Sequence, residues 1–89
     1  MDFEEALKEL KSGKKITNKN WNGKDMYLFM QPGYLNGVPA NEVTAKGMGI
    51  PVGKEVKVDP YIMMVNADGF LVPWTPSQMD LFSLEWEVV

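Results

Sequence analysis

The sequence predicts an α+β fold: a small antiparallel sheet of four or five strands with an N-terminal helix and a short second helix. Three observations carry this expectation. Phe3, Ala6, Leu7 and Leu10 recur at i, i+3, i+4 and i+7, the spacing of one helix face. Apolar runs at 26–30 and 61–65 and an alternating run at 84–88 have strand length. Asn66-Ala67-Asp68-Gly69 lies between two apolar runs, and Asp-Gly in that setting is a hairpin signal.

The elements follow in order. Asp2 is placed to cap the first helix, with Glu5 three residues on as in a capping box and Gly13 where the chain leaves the helix. Lys14-Lys15-Ile16-Thr17 reads as a short strand. Asn18 to Asn22 is rich in residues that tolerate a left-handed backbone, so a turn is expected around Trp21-Asn22-Gly23-Lys24. Met26 to Met30 then reads as a buried strand ending before Pro32-Gly33. Residues 31–53 hold five Gly and three Pro, which predicts a long connection that is either mobile or a binding element. Lys54–Val58 alternates, Pro60 makes a break, and Tyr61–Val65 and Phe70–Trp74 form the two arms of the hairpin. Thr75-Pro76-Ser77-Gln78 predicts the start of a helix that does not pass Ser83, with Thr75 as cap, Pro76 at the first helical position and Gln78 at the third. In the closing strand, Leu84, Trp86 and Val88 are expected on one face.

Composition bounds both fold and chemistry. A chain of 89 residues has room for one core, so residues 1–89 are read as a single domain. Hydrophobic residues at 45% and charged residues at 24% are ordinary for a globular domain and argue against disorder. The net charge is −3, and all nine basic residues are Lys. Lacking the guanidinium fork that reads guanine and clamps phosphate, the chain is not expected to bind DNA or RNA. With no Cys and no His there is no thiolate nucleophile, zinc-thiolate cage or imidazole base. The acidic start and the lack of a long apolar run argue against a signal peptide or membrane span and make a reducing cytoplasm the expected compartment.

Several groups are candidates for function. Asp25, Asp59, Asp68 and Asp80 could in principle pair as acid and base, but no phosphate loop, calcium loop or nucleophile elbow accompanies them, and turn positions explain them as well. Trp21 and Trp74 stand at junctions, where an indole either stacks on a flat ligand or closes the edge of the core; Trp86, alternating in the last strand, reads as core. Thr75, Ser77 and Gln78 gather hydroxyl, amide and helix N-terminal N–H groups that suit a phosphate or simply cap their own helix. Residues 1–24 carry six Lys against four acids, and residues 25–89 three Lys against eight; a solvated face is the plainer reading of Lys14, Lys15, Lys19 and Lys24. The seven Met, Met26, Met30, Met63 and Met64 among them, either fill a core or form an adaptable surface.

The run from Trp21-Asn22-Gly23 to Leu28, the run from Asn66-Ala67-Asp68-Gly69 through Val72-Pro73-Trp74-Thr75-Pro76-Ser77-Gln78-Met79-Asp80-Leu81, the opening Met1 to Leu7 and the ending Glu85 to Val89 together resemble the Thoeris anti-defence protein 2 family. The likeness runs end to end except through 31–53. It implies a phage protein acting in the cytoplasm of the infected bacterium, a homo-oligomer, in the family a tetramer, that binds the glycocyclic ADP-ribose signal of Thoeris immunity and withholds it without cleaving it. No cofactor, metal or catalytic residue is implied. Other cyclic nucleotides enter as further ligands in some relatives. On the family pattern Trp21, Asn22, Tyr27, Trp74, Thr75, Ser77, Gln78 and Asp80 are the expected pocket residues. Two other classes of function stay open beside it: a hydrolase that destroys such a signal with Asp or Glu, and an inhibitor that docks Met and aromatic surface on a host protein.

Overall fold

A computed structural model describes all of residues 1–89. The chain runs α1 (Phe3–Lys11), β1 (Ile16–Asn18), β2 (Tyr27–Gln31), β3 (Tyr34–Pro39), α2 (Glu42–Met48), β4 (Glu55–Val58), β5 (Tyr61–Val65), β6 (Leu71–Pro73), α3 (Gln78–Phe82) and β7 (Trp86–Val88). It divides into two compact units, Met1–Gln31 with Ile62–Val89, and Pro32–Tyr61.

The first unit holds a five-stranded sheet in the order β6-β5-β2-β1-β7. β1 lies antiparallel to both β2 and β7, with Ile16 opposite Leu28 and Val88, and β5 and β6 form the expected antiparallel hairpin. Ala6 and Leu10 of α1 are fully buried against Ile16, Leu28 and Trp86. The helical spacing thus becomes the core, in which Leu10, Ile16 and Leu28 each contribute about 1.5–3 kcal/mol. Asp2 caps α1, its carboxylate accepting the Glu5 N–H at 2.9 Å. Gly13, at φ +94°, closes the helix as the Lys14 N–H reaches the Glu9 carbonyl.

The β5–β6 turn is built by Asn66, whose side-chain oxygen accepts N–H groups from Asp68 and Phe70. Gly69 (φ +81°) is left-handed and Asp68 is not, so the Asp-Gly pair does not form the two-residue type I′ turn. β6 is an edge strand, which is how it accommodates Pro73. In the β1–β2 connection the left-handed residue is Asp25 (φ 58°), outside the Asn18–Asn22 stretch where that conformation was expected.

Residues Pro32–Tyr61 overturn the expectation of a long connection at 31–53. β3 and β4 pair antiparallel, with Tyr34 opposite Val58 and Val38 opposite Val56, and a register shift between the two pairs. Gly37 (φ +105°) lies in that shift, so the glycine that argued against a strand marks its bulge. α2 is a third helix, where two were expected. Asn41 caps it by accepting the Thr44 N–H, and left-handed Gly49 ends it. Only Ala40 and Ala45 are buried in this unit.

Two further expectations are corrected. Ser77, rather than Thr75, caps α3: Ser77 Oγ accepts the Asp80 N–H while the Asp80 carboxylate accepts the Ser77 N–H, and the backbone is still extended at Ser77 (φ −80°, ψ 170°), so the helix begins at Gln78 and Thr75 lies before it. The last strand starts at Trp86, and Leu84 precedes it with 72% of its surface exposed, so Leu84 does not share the buried face of Trp86.

Candidate functional site

The Asn-rich turn after β1 and the short helix α3 meet around an open cavity of about 400 Å³. It is lined by Asn18, Asn20, Trp21, Ser77, Met79, Asp80, Phe82 and Ser83. Asn18 is buried, and its side-chain oxygen accepts the Asn20 N–H while its carbonyl accepts the Trp21 N–H. That bend carries Trp21 out of the sheet to the cavity wall.

Asp80 joins the two sides. One carboxylate oxygen accepts the Trp21 indole N–H at 3.2 Å, and the other accepts the Ser77 N–H at 2.9 Å. Its backbone carbonyl accepts the indole N–H of Trp86 at 2.9 Å. Trp21 also stands edge-on to buried Trp86, rings 5.3 Å apart at 86°. The Ser77 and Asp80 amides and the Ser77 hydroxyl take part in the capping box, so Ser77 serves its own helix, as the plainer of the two readings of Thr75, Ser77 and Gln78 had it for that residue. Asp80 is the one charged residue lining the cavity.

Of the eight expected pocket residues, Trp21, Ser77 and Asp80 line this cavity together. Trp74 stands behind it, half-buried, with its ring 5.8 Å from Phe3 and 6.0 Å from Trp86. Tyr27 lines a second cavity of about 330 Å³ with Thr17, Gly23, Asp25, Met26 and Val89, and the Lys15 ammonium lies 4.9 Å from its ring centre. Thr17 and Asn18 are successive residues of β1 and leave opposite faces of the sheet, which separates the two cavities. Asn22, Thr75 and Gln78 are exposed and line neither. Sequence reasoning missed Asn18, Asn20, Met79, Phe82 and Ser83. The Asn-rich turn was a usable signal for the first two; nothing local marks the others.

The remaining candidates are placed as follows. Lys14 pairs with Glu9 at 2.9 Å and Lys19 with Glu87 at 3.6 Å, both at the surface, where such pairs contribute little. Asp25, Asp59 and Asp68 are exposed and stand outside the first cavity. No cluster of three or more Asp or Glu is placed to hold a metal ion, and no helix is long and apolar enough to cross a membrane.

Comparison with known proteins matches residues 1–89 to the family model described as a Thoeris anti-defense 2-like domain. The chain is also 30% identical over 92 residues to a protein of Bacillus phage SP01 named "Thoeris anti-defense 2", an alignment spanning all of this chain and 94% of the relative. The match covers both compact units, 31–53 included, and with it the cavity between the Asn-rich turn and α3: the chain belongs to the Thoeris anti-defense 2-like family.

Proposed function

We propose that this protein binds the glycocyclic ADP-ribose signal of bacterial Thoeris immunity in the Trp21 cavity and withholds it intact. The observation that carries the reading is Trp21 itself: an indole fixed by a carboxylate at the wall of a cavity that also presents two Asn amides and two Ser hydroxyls. That combination suits a ligand with a flat base to stack and ribose hydroxyls to bond, and about 400 Å³ lies within the usual range of 300–1,000 Å³ for small-molecule sites. The relative's name, "Thoeris anti-defense 2", supports the same system.

The cavity is open, and its rim is apolar. Met79 and Phe82 line it while remaining 83% and 78% exposed, and Leu84 nearby in sequence is 72% exposed. Exposed apolar surface of that kind is covered by a partner. In this reading the partner is a second copy, in a homotetramer that closes the site at a subunit boundary within the cytoplasm of the infected host. No catalytic step is assigned. Asp80, the only carboxylate at the cavity, is engaged by two N–H donors.

Isothermal titration with glycocyclic ADP-ribose isomers, linear ADP-ribose and cyclic dinucleotides tests the reading. Saturable tight binding of a glycocyclic isomer, with linear ADP-ribose far weaker, supports it. Absence of heat and of any thermal shift with every cyclic ligand contradicts it.

A further inference from the structure

We infer that Asp80 is a positioning residue, which serves ligand binding by fixing the Trp21 indole rather than by touching the ligand. This rests on the reading of the Trp21 cavity as the ligand site. Each carboxylate oxygen already accepts an N–H, one from the Trp21 ring and one from the Ser77 backbone. The two donors lie 56 residues apart in the chain, so Asp80 is the clasp that sets the Asn-rich turn against α3. The Asp80 carbonyl takes the Trp86 indole, and the edge of Trp21 meets Trp86. One residue thus anchors two indoles that also touch each other. Trp21 belongs to an exposed turn, and without the clasp its ring has rotamers to explore; a stacking surface held in advance spares the ligand that ordering cost.

Asp80→Asn is the informative change. Its amide has one acceptor oxygen, and the Ser77 N–H, three residues away in the capping box, is the donor that keeps it, which turns the NH₂ toward the Trp21 N–H. In the wild type, the Trp21 indole N–H resonance, assigned by its loss in Trp21→Phe, is expected to be protected from solvent exchange. In Asp80→Asn it should shift and lose protection. Ser77→Ala, which breaks the capping box from the other side, should leave that resonance in place. Ligand affinity should fall roughly ten- to 150-fold in Asp80→Asn, the scale of one hydrogen bond to a charged group. In a Trp21→Phe background, where the ring remains and its N–H is gone, the same substitution should cost less than about twofold, because the two residues act as one unit.

An equal loss in both backgrounds would show that Asp80 contacts the ligand directly and overturn the inference. So would a Trp21 indole proton that exchanges as fast as free indole in the wild type, a measurement that needs no variant to fold. If no cyclic nucleotide binds at all, the proposed function fails while the indole measurements still decide whether Asp80 fixes Trp21.

Discussion

Three tryptophans at one end of the sheet illustrate how far residue type alone carries an argument. Trp86 is 1% exposed and its N–H is bonded to the Asp80 carbonyl, as its alternation in the last strand implied. Trp86→Ala should cost about 3–5 kcal/mol, read as a drop in urea midpoint. Trp21 and Trp74 looked alike in the sequence, each an indole at a junction. The fold separates them: Trp21 lines the cavity, and Trp74 packs behind it on Phe3 and Trp86. Trp74→Ala should therefore lower stability by roughly 1–3 kcal/mol, the scale of two lost aromatic pairs. Trp21→Ala should keep most of its stability and lose affinity by roughly 5- to 150-fold, the scale of one base–aromatic stack. Denaturation curves beside titration calorimetry distinguish the two; a Trp21→Ala protein that is unfolded by circular dichroism would put Trp21 in the core instead. The difference between these indoles was invisible in sequence because each is placed by a contact more than 50 residues away, Trp21 by Asp80 and Trp74 by Phe3.

At the scale of elements, what was legible is what local chemistry determines. α1 was readable because its cap, apolar face and terminal Gly13 all agree, and Asp2→Ala should remove about 1 kcal/mol by the loss of that cap. The β5–β6 hairpin was readable from its Asn and Gly, though the turn is organised by Asn66 rather than by the Asp-Gly pair. β3 and α2 were hidden because each breaks its own pattern. β3 carries Gly37 at a bulge and ends in Pro39, and α2 includes Gly47 and the β-branched Val43 and Thr44, all poor helix formers. Asn41 and Gly49 did bracket the helix as cap and terminator, and were outweighed by the Gly and Pro count. Gly33 is the residue this unit can least exchange: its φ is +71°, and an added Cβ would strike the Val58 carbonyl and the Asp59 backbone. Gly33→Ala should strip hydrogen-exchange protection from β3 and β4 while leaving β1 and β7 protected. Uniform loss across the chain would show that the two units unfold together.

Over the whole molecule, apolar surface left uncovered is the feature that asks for explanation. Met79, Phe82 and Leu84 in one unit, and Tyr34, Leu35, Val43, Met48 and Val52 in the other, are all more than half exposed. Two buried alanines make a thin interior for Pro32–Tyr61. Association of copies would remove such surface from water, and light scattering should return a multiple of the 10.1 kDa chain mass, four chains in the proposed assembly. A 10 kDa monomer with undiminished ligand binding would contradict that assembly.

The central claim, that the signal is held and not consumed, is tested most directly by recovering it. Glycocyclic ADP-ribose is incubated with excess protein, unbound ligand is removed by gel filtration, and the complex is heated to denature the protein before chromatography. The account predicts that the intact cyclic ligand co-elutes with the protein and returns unchanged at every incubation time. A linear or hydrolysed product that accumulates with time, and disappears when Asp80 is replaced by Asn, would contradict it and make the protein an enzyme.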